Sequence, residues 1–399
     1  MTNAEDPPEI PNSDEPAVGV SRGAVQAARN SRRKRRMILS TGVLGVLVVA
    51  GAGGAILLSS DSEPKQPAPT TTTTTSSTTT TSVPEVLATT VMPLTGVPVN
   101  GDDPATAALL NRPALVAKVD NDPAAMPHIG LERADIVIEL RVEGISRYMA
   151  VFHSQPVEKV GPIRSARTSD PDLLAMFGRP LFAWSGGNRN VVRVIDSIPF
   201  LQNENHDQVP GAYSRVKGKR APHNLVVDAA KVFERADQPP AVPQPAFSYW
   251  GSSEEIPGMA VPGLSVHVGS SPASFVWNAE SKTWFRWANG RRHKSESGEQ
   301  LQAKNVVVLE TSYGRSAADS RSPESQSVGF GSAWVFTDGK IRVGTWSRAS
   351  ADQPWTLTAE DGSVMALSPG NTWVEMVDIG AGPTIPDQAA VDALNSSEK

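Results

Sequence analysis

No cysteine occurs in the 399 residues, which removes disulfide staples, thiol nucleophiles, thiolate metal sites and a lipidated cysteine from consideration. A chain of this length without staples must rely on its hydrophobic core. A dominant charge is also missing: 37 Lys and Arg against 42 Asp and Glu leave a formal −5, so neither nucleic acid nor anionic lipid is a general partner. One stretch has no charge at all. From Met37 to Ser60 every residue is apolar or small and neutral, and at 1.5 Å per residue Met37 to Leu58 would reach about 33 Å, enough for a hydrocarbon core of about 30 Å.

The residues before that stretch set its orientation. Residues 1–20 are rich in Pro, Asp and Glu and poor in large apolar side chains, and Arg32-Arg-Lys-Arg-Arg36 abuts the span. Such a basic cluster keeps the N-terminus in the cytoplasm, so residues 1–36 are expected to be a disordered cytoplasmic tail, 37–60 a single transmembrane helix retained as an anchor, and everything after Asp61 extracytoplasmic. A cleaved signal peptide is the competing reading, since Ala50-Gly-Ala52 resembles a small-residue cleavage site. Residues 61–91, with the unbroken Thr/Ser run Thr70–Ser82, read as a low-complexity stalk that often carries O-linked sugars. The remaining length is enough for two domains.

Residues 92–240 read as an α/β domain. Strands are expected at Ala114–Val119, Ala134–Leu140, Arg147–Phe152 and Pro180–Ser185, where β-branched and aromatic residues are bounded by Pro, Asp and Gly. Asp170-Pro171-Asp172 suits a helix start, with Asp170 as cap and Gly178 as stop. Gly186-Gly187-Asn188 then leads into Arg189–Ser197, whose Val191, Val192, Val194 and Ile195 give one apolar helical face. At Gln238-Pro-Pro-Ala-Val-Pro-Gln-Pro245, four prolines in eight residues exclude helix and central strand alike. Beyond it, residues 241–380 read as a separately packed β-rich domain of short strands with an Asp338-Gly339 hairpin turn. Seven of the nine tryptophans lie after Trp250; they could stack on sugar rings, but alternating Trp in a sheet is more often core. Residues 381–399 read as a frayed tail.

Polar chemistry concentrates between Gly161 and Leu225. The glycine turn Gly186-Gly187 after Ser185, with Asn188 and the first amides of the following helix, would let a backbone approach an anion. Arg164, Arg167 and Arg220 would supply forked donors, His223 a titratable one, and Asn224 lies beside it. In an α/β sheet these loops should gather at the carboxyl ends of strands. The alternative is that each arginine pairs with a local carboxylate such as Asp120, Glu139 or Glu143. Asp120, Asp122, Glu139 and Glu143 have no calcium-loop spacing, and neither a metal nor a cofactor is expected.

Several ordered segments carry a resemblance. Asp120-Asn-Asp-Pro, Ala134-Asp-Ile-Val-Ile-Glu139, Val142-Glu-Gly-Ile145 with Arg147, Gly161-Pro-Ile-Arg-Ser-Ala-Arg167, Ala221-Pro-His-Asn-Leu225, Gly331-Ser-Ala-Trp-Val-Phe336 and Pro369-Gly-Asn-Thr-Trp373 resemble the YerB-like family of bacterial envelope lipoproteins. The resemblance spans Pro93 to about Val377. It implies an N-terminal domain of unknown function, a second C-terminal domain and an envelope location, with no catalytic residues to carry over. The chain departs from the family pattern in having no lipid-anchored cysteine, in Met126-Pro127-His128 where Arg-Pro-Gln is usual, and in Arg291-Arg-His293-Lys, which lacks the acidic residue that commonly follows the histidine.

Two functions are therefore expected. One is a membrane-anchored envelope protein binding an anionic or sugar-containing wall component, or a protein partner, through the α/β domain. The other is an envelope hydrolase or transferase on a wall polymer, with His223 as acid or base. No Ser-His-Asp or paired-carboxylate spacing supplies its second catalytic group.

Overall fold

The computed structural model describes residues 90–251 and 255–396. The basic tail, the 37–60 span and the stalk as far as residue 89 lie outside the described residues. Among the described residues no helix is long and apolar enough to cross a membrane. The fold is rich in strands and has few helices.

The N-terminal segment contributes β1 (Leu115–Val119), β2 (Ile136–Arg141), β3 (Ser146–Phe152), β4 (Lys159–Val160), helix α1 (Asp170–Ala175), β5 (Leu181–Ala183), helix α2 (Arg189–Asp196), β6 (Gln202–Asn203), β7 (Tyr213–Arg215) and β8 (Leu225–Asp228). The C-terminal segment contributes β9 (Met259–Ala260), β10 (Gly263–Val268), β11 (Ser271–Asn278), β12 (Thr283–Ala288), β13 (Arg291–Arg292), β14 (Gln302–Ala303), β15 (Asn305–Thr311), β16 (Gly329–Thr337), β17 (Lys340–Arg348), β18 (Thr356–Ala359), β19 (Thr372–Asp378) and helix α3 (Gln388–Ser396). Asp338 and Gly339 both adopt positive φ, 49° and 73°, as a tight hairpin between β16 and β17 requires.

The two segments do not pack separately, as the proline boundary had suggested. One sheet of eleven strands runs β9-β17-β16-β15-β19-β2-β3-β1-β5-β6, with β18 beside β17. Its seam is β19 against β2, parallel, with Thr372 opposite Ile136 and Met376 opposite Leu140. The cause is in β19 itself: six of its seven residues are buried, so both edges must be paired to satisfy the backbone and both faces covered to bury the side chains. It takes β15 on one edge and β2 on the other. The Pro-rich stretch breaks local structure but joins halves of one sheet, and Phe247 just beyond it packs into the shared core.

Each face of the sheet carries a core drawn from both segments. Val116, Ile138 and Met149 lie with Val307, Trp346 and Val374 on the face covered by α1 and α2; Ala117, Val137 and Tyr148 lie with Phe336 and Trp373 on the other, beneath the small sheet β10–β14. Trp284, Trp287, Trp346 and Trp373 are buried, so the tryptophans serve chiefly as core. The expected frayed tail is instead α3, because Val391 and Leu394, one helical turn apart, close over Val276 and Trp287. At α1, Asp170 is the first helical residue rather than the cap.

Candidate functional site

The carboxyl ends of β1 and β5, parallel neighbours, are crossed by the segment after β4. Its backbone ties them together: Arg164 N–H donates to the Lys118 carbonyl at 2.8 Å, Ser185 N–H to the Arg164 carbonyl at 3.0 Å, and Ile163 N–H to the Leu225 carbonyl at 2.7 Å. Gly161 passes β8 so closely that a Cβ there would lie 2.8 Å from the Leu225 oxygen. Gly186, at φ +84°, turns against the Ser165 hydroxyl, where a Cβ would lie 3.2 Å away and the left-handed backbone already disfavours a side chain. The loops carrying Arg164, Arg167, Ser185, Gly186, Gly187 and His223 are thus adjacent.

Asp120, fully buried at the end of β1, is the centre of the charge arrangement. One oxygen, Oδ2, meets His223 Nδ1 at 2.7 Å and Arg164 Nε at 3.2 Å, while Oδ1 accepts from Asp122 N–H at 3.2 Å. Nδ1–H of His223 donates to Oδ2, and Nε2 is the ring nitrogen not bonded to Asp120. Arg167 is forked onto Glu143, Nε to Oε1 at 2.7 Å and the terminal nitrogen to Oε2 at 2.9 Å. Partial burial pushes the Glu143 carboxyl up, but the Arg167 bonds and charge outweigh it and hold it at about 2.

Arg147 completes the group, and sequence reasoning had not placed it there. It is 5% exposed, donates to the Ser165 carbonyl at 3.1 Å, and leaves Nε without a hydrogen-bond partner. Burial, then the charges of Arg167 and Arg164, pull it down to about 10. Three guanidiniums therefore face two carboxylates, and Arg147 is the least compensated of them. The signal was a lone cation opening the otherwise apolar strand Arg147-Tyr-Met-Ala-Val-Phe152. Beneath lies a fully buried ion pair, Lys118 Nζ to Asp170 Oδ1 at 2.6 Å. The other Asp170 oxygen accepts from Arg167 N–H at 2.7 Å, which is why Asp170 does not cap its helix.

Three expected members are placed elsewhere. Asn188 spends its side-chain oxygen capping α2, accepting from the amides of Asn190 and Val191 at 2.9 and 3.0 Å, so those amides are already satisfied. Arg220 is exposed on the turn before His223, contributing its carbonyl to His223 N–H at 2.9 Å. Asn224 turns away, bonded to Arg215 and to the Lys219 carbonyl. The acidic set disperses too: Asp122 caps the turn at Ala124 and Glu139 pairs with Arg286. Among the described residues no group of His, Asp and Glu is poised to hold a metal ion.

Comparison with known proteins matches residues 94–241 to the model described as "Protein of unknown function (DUF3048) N-terminal domain" and residues 264–374 to its C-terminal counterpart. The chain is 25% identical over 304 residues to the Bacillus subtilis (strain 168) protein named "Putative lipoprotein YerB", covering 74% of this chain and 88% of that one. The chain belongs to the YerB-like family. The crystal structure of YerB from Bacillus subtilis superposes with a TM-score of 0.64 at 23% identity, over 75% of this chain and 100% of that one, so the YerB-like fold is shared.

In this YerB-like chain the candidate site is buttressed from the C-terminal segment. Glu139 on β2 and Glu375 on β19 stand opposite each other across the seam, both fully buried. Arg286 of β12 reaches Glu139 at 2.5 Å and lies 3.8 Å from Glu375. Burial, then the charge of Glu139, pushes the Glu375 carboxyl well above its usual range. Arg286 donates to His293 Nδ1 at 2.7 Å, which places the His293 proton on Nε2. That proton meets His128 Nδ1 at 2.7 Å, and His128 Nε2–H donates to the Asp120 carbonyl at 2.6 Å. Burial first holds both histidines down, His128 to about 4. His128 and His293 are thus neutral struts that fix Asp120.

Proposed function

We propose that this chain is a membrane-anchored, extracytoplasmic envelope protein that binds an anionic wall component through Arg147, Arg164 and His223 around Asp120. The wall component carries phosphate or carboxylate, on a sugar-containing polymer or a partner protein. One observation carries the reading: Arg147 is almost wholly buried, has an unpartnered Nε and faces two further guanidiniums, an arrangement that an incoming anion would relieve. The charge-free span from Met37 to Ser60 behind Arg32–Arg36 supports the anchor, and the named lipoprotein relative supports the envelope location.

The test is calorimetric titration of the full chain with phosphate-bearing, carboxylate-bearing and neutral wall fragments. Arg147→Ala should weaken binding of the charged fragments by about tenfold or more, from a charge-assisted contact of about 1.5–3 kcal/mol. Equal affinity in wild type and variant would overturn the reading.

The Asp120–His223 pair favours a second reading, an enzyme acting on the same polymer with His223 Nε2 as base and Asp120 orienting the ring. Against it, no serine or threonine hydroxyl is hydrogen-bonded to His223 among the described residues. Turnover of wall fragments that falls about a hundredfold in His223→Ala would establish it; fragments left intact by the wild type would remove it.

A further inference from the structure

A cleft of about 740 Å³ opens between the turn at Pro123–Pro127 and the β12–β13 hairpin, and Asp120, Arg147, Arg164 and His223 are not among its lining residues. We propose that it is a second, separate ligand site, and that its ligand is an anionic amphiphile, an aliphatic chain carrying a phosphate or carboxylate head. The volume lies within the roughly 300–1,000 Å³ common to small-molecule sites, and the cleft stands where two sequence segments meet, a frequent position for such sites.

The lining is divided in chemistry. Met126, Pro127 and Ala288 offer an apolar floor, while Arg291, Arg292 and Lys294 stand along the hairpin, opposed by one acid, Glu296. Arg291 and Lys294 are exposed, and neither is in an ion pair among the described residues. A small inorganic anion would leave the floor wet. A neutral apolar molecule would desolvate the cations without pairing them. Only a ligand with both parts matches both surfaces.

The walls are held in place before any ligand arrives. Lys219 Nζ donates to the carbonyls of Ala125 and Pro127, at 2.7 and 2.5 Å, and so braces the proline turn from behind. His128 bridges to Ser295, and Glu296 N–H donates to the His128 carbonyl at 2.7 Å. Asn289 and Gly290, at φ 52° and 73°, close the hairpin tightly. Little ordering cost remains to be met on binding.

The experiment uses the full chain in phosphatidylcholine nanodiscs, titrated by calorimetry with hexyl phosphate, inorganic phosphate and hexanol against empty discs. With the Asp120 site weakened by Arg147→Ala, hexyl phosphate should bind saturably at one site and at least about tenfold more tightly than either half alone. Lys294→Glu and, independently, Met126→Glu, each added to that background, should weaken it by about tenfold or more. Repeating the titration in phosphatidylglycerol discs distinguishes the source of the head group: competition by the resident lipid assigns a membrane lipid, and an unchanged affinity assigns a soluble amphiphile. Absence of saturable binding, hexanol binding as well as hexyl phosphate, or survival of affinity in both charge variants would each overturn the proposal.

Discussion

Arg147 and Arg286 are both buried guanidiniums, yet their surroundings predict opposite responses to removal. Arg147 is pressed against two like charges and has one hydrogen bond to a carbonyl, so Arg147→Met should leave the melting temperature unchanged or raise it while anion affinity falls, the pattern of a residue kept for binding. Arg286 holds Glu139 at 2.5 Å in a site with no water access. Arg286→Met strands that carboxylate and should cost about 3–5 kcal/mol in a denaturant titration; a loss below about 1 kcal/mol would mean that Glu139 is neutral without it. The buried histidines set the acid response. Burial holds His128 and His153 near 4, and His153 has neither ring nitrogen partnered. Unfolded histidine titrates near 6.5, so between about pH 6.5 and 4 the unfolded chain binds more protons, and stability present above that window is lost as the pH falls through it. His153→Leu should flatten the dependence of unfolding free energy on pH in that range without lowering it at pH 7.

Among the elements, β19 carries the most. It joins the C-terminal strands of the large sheet to the N-terminal ones through β2, and Trp373 near its start touches side chains of both segments. Its ring lies 5.3 Å from Tyr148, 6.1 Å from Phe275 and 4.3 Å beneath the Arg286 guanidinium. Trp373→Ala should therefore destabilise the fold by about 3–5 kcal/mol and, because His293 packs on the same ring, should loosen Asp120 as well, seen as changed His223 chemical shifts. Removing α3 by ending the chain at residue 387 exposes Trp287 and Val276 and should cost less, since only one of its side chains is fully covered.

For the whole molecule, the described residues 90–251 and 255–396 belong to one compact unit, and this changes what proteolysis should show. Cleavage in the exposed stretch around Gln238–Val242 should leave two fragments that co-elute and separate only in denaturant, because the cut leaves the β19–β2 ladder intact. Fragments that part in native buffer would mean that the seam contributes little. The orientation drawn from Arg32–Arg36 has its own check: protease added to intact protoplasts should digest the chain beyond Asp61, and protection of that region would reverse the topology.

What the amino-acid sequence determined by itself was local. Alternating β-branched and aromatic runs place β1, β2 and β3 to within two residues of their observed bounds, and Asp338-Gly339 marks its hairpin, because burial on a pleated surface and turn chemistry depend on near neighbours alone. The glycine turn and α2 were legible for the same reason, and so was the approach of the Arg164, Arg167 and Ser185 loops, which follows from the carboxyl ends of adjacent strands. Pairing across the molecule was not legible. The Pro-rich stretch ends secondary structure, but nothing local shows that β19, more than a hundred residues further on, returns to β2; that follows from its need for two paired edges. Likewise Arg147 reads as an ordinary strand residue, and the role of Asp120 in gathering Arg164 and His223 depends on a carboxylate buried by the fold. Charge position along a chain sets which groups are present; only tertiary burial decides which of them lack a partner.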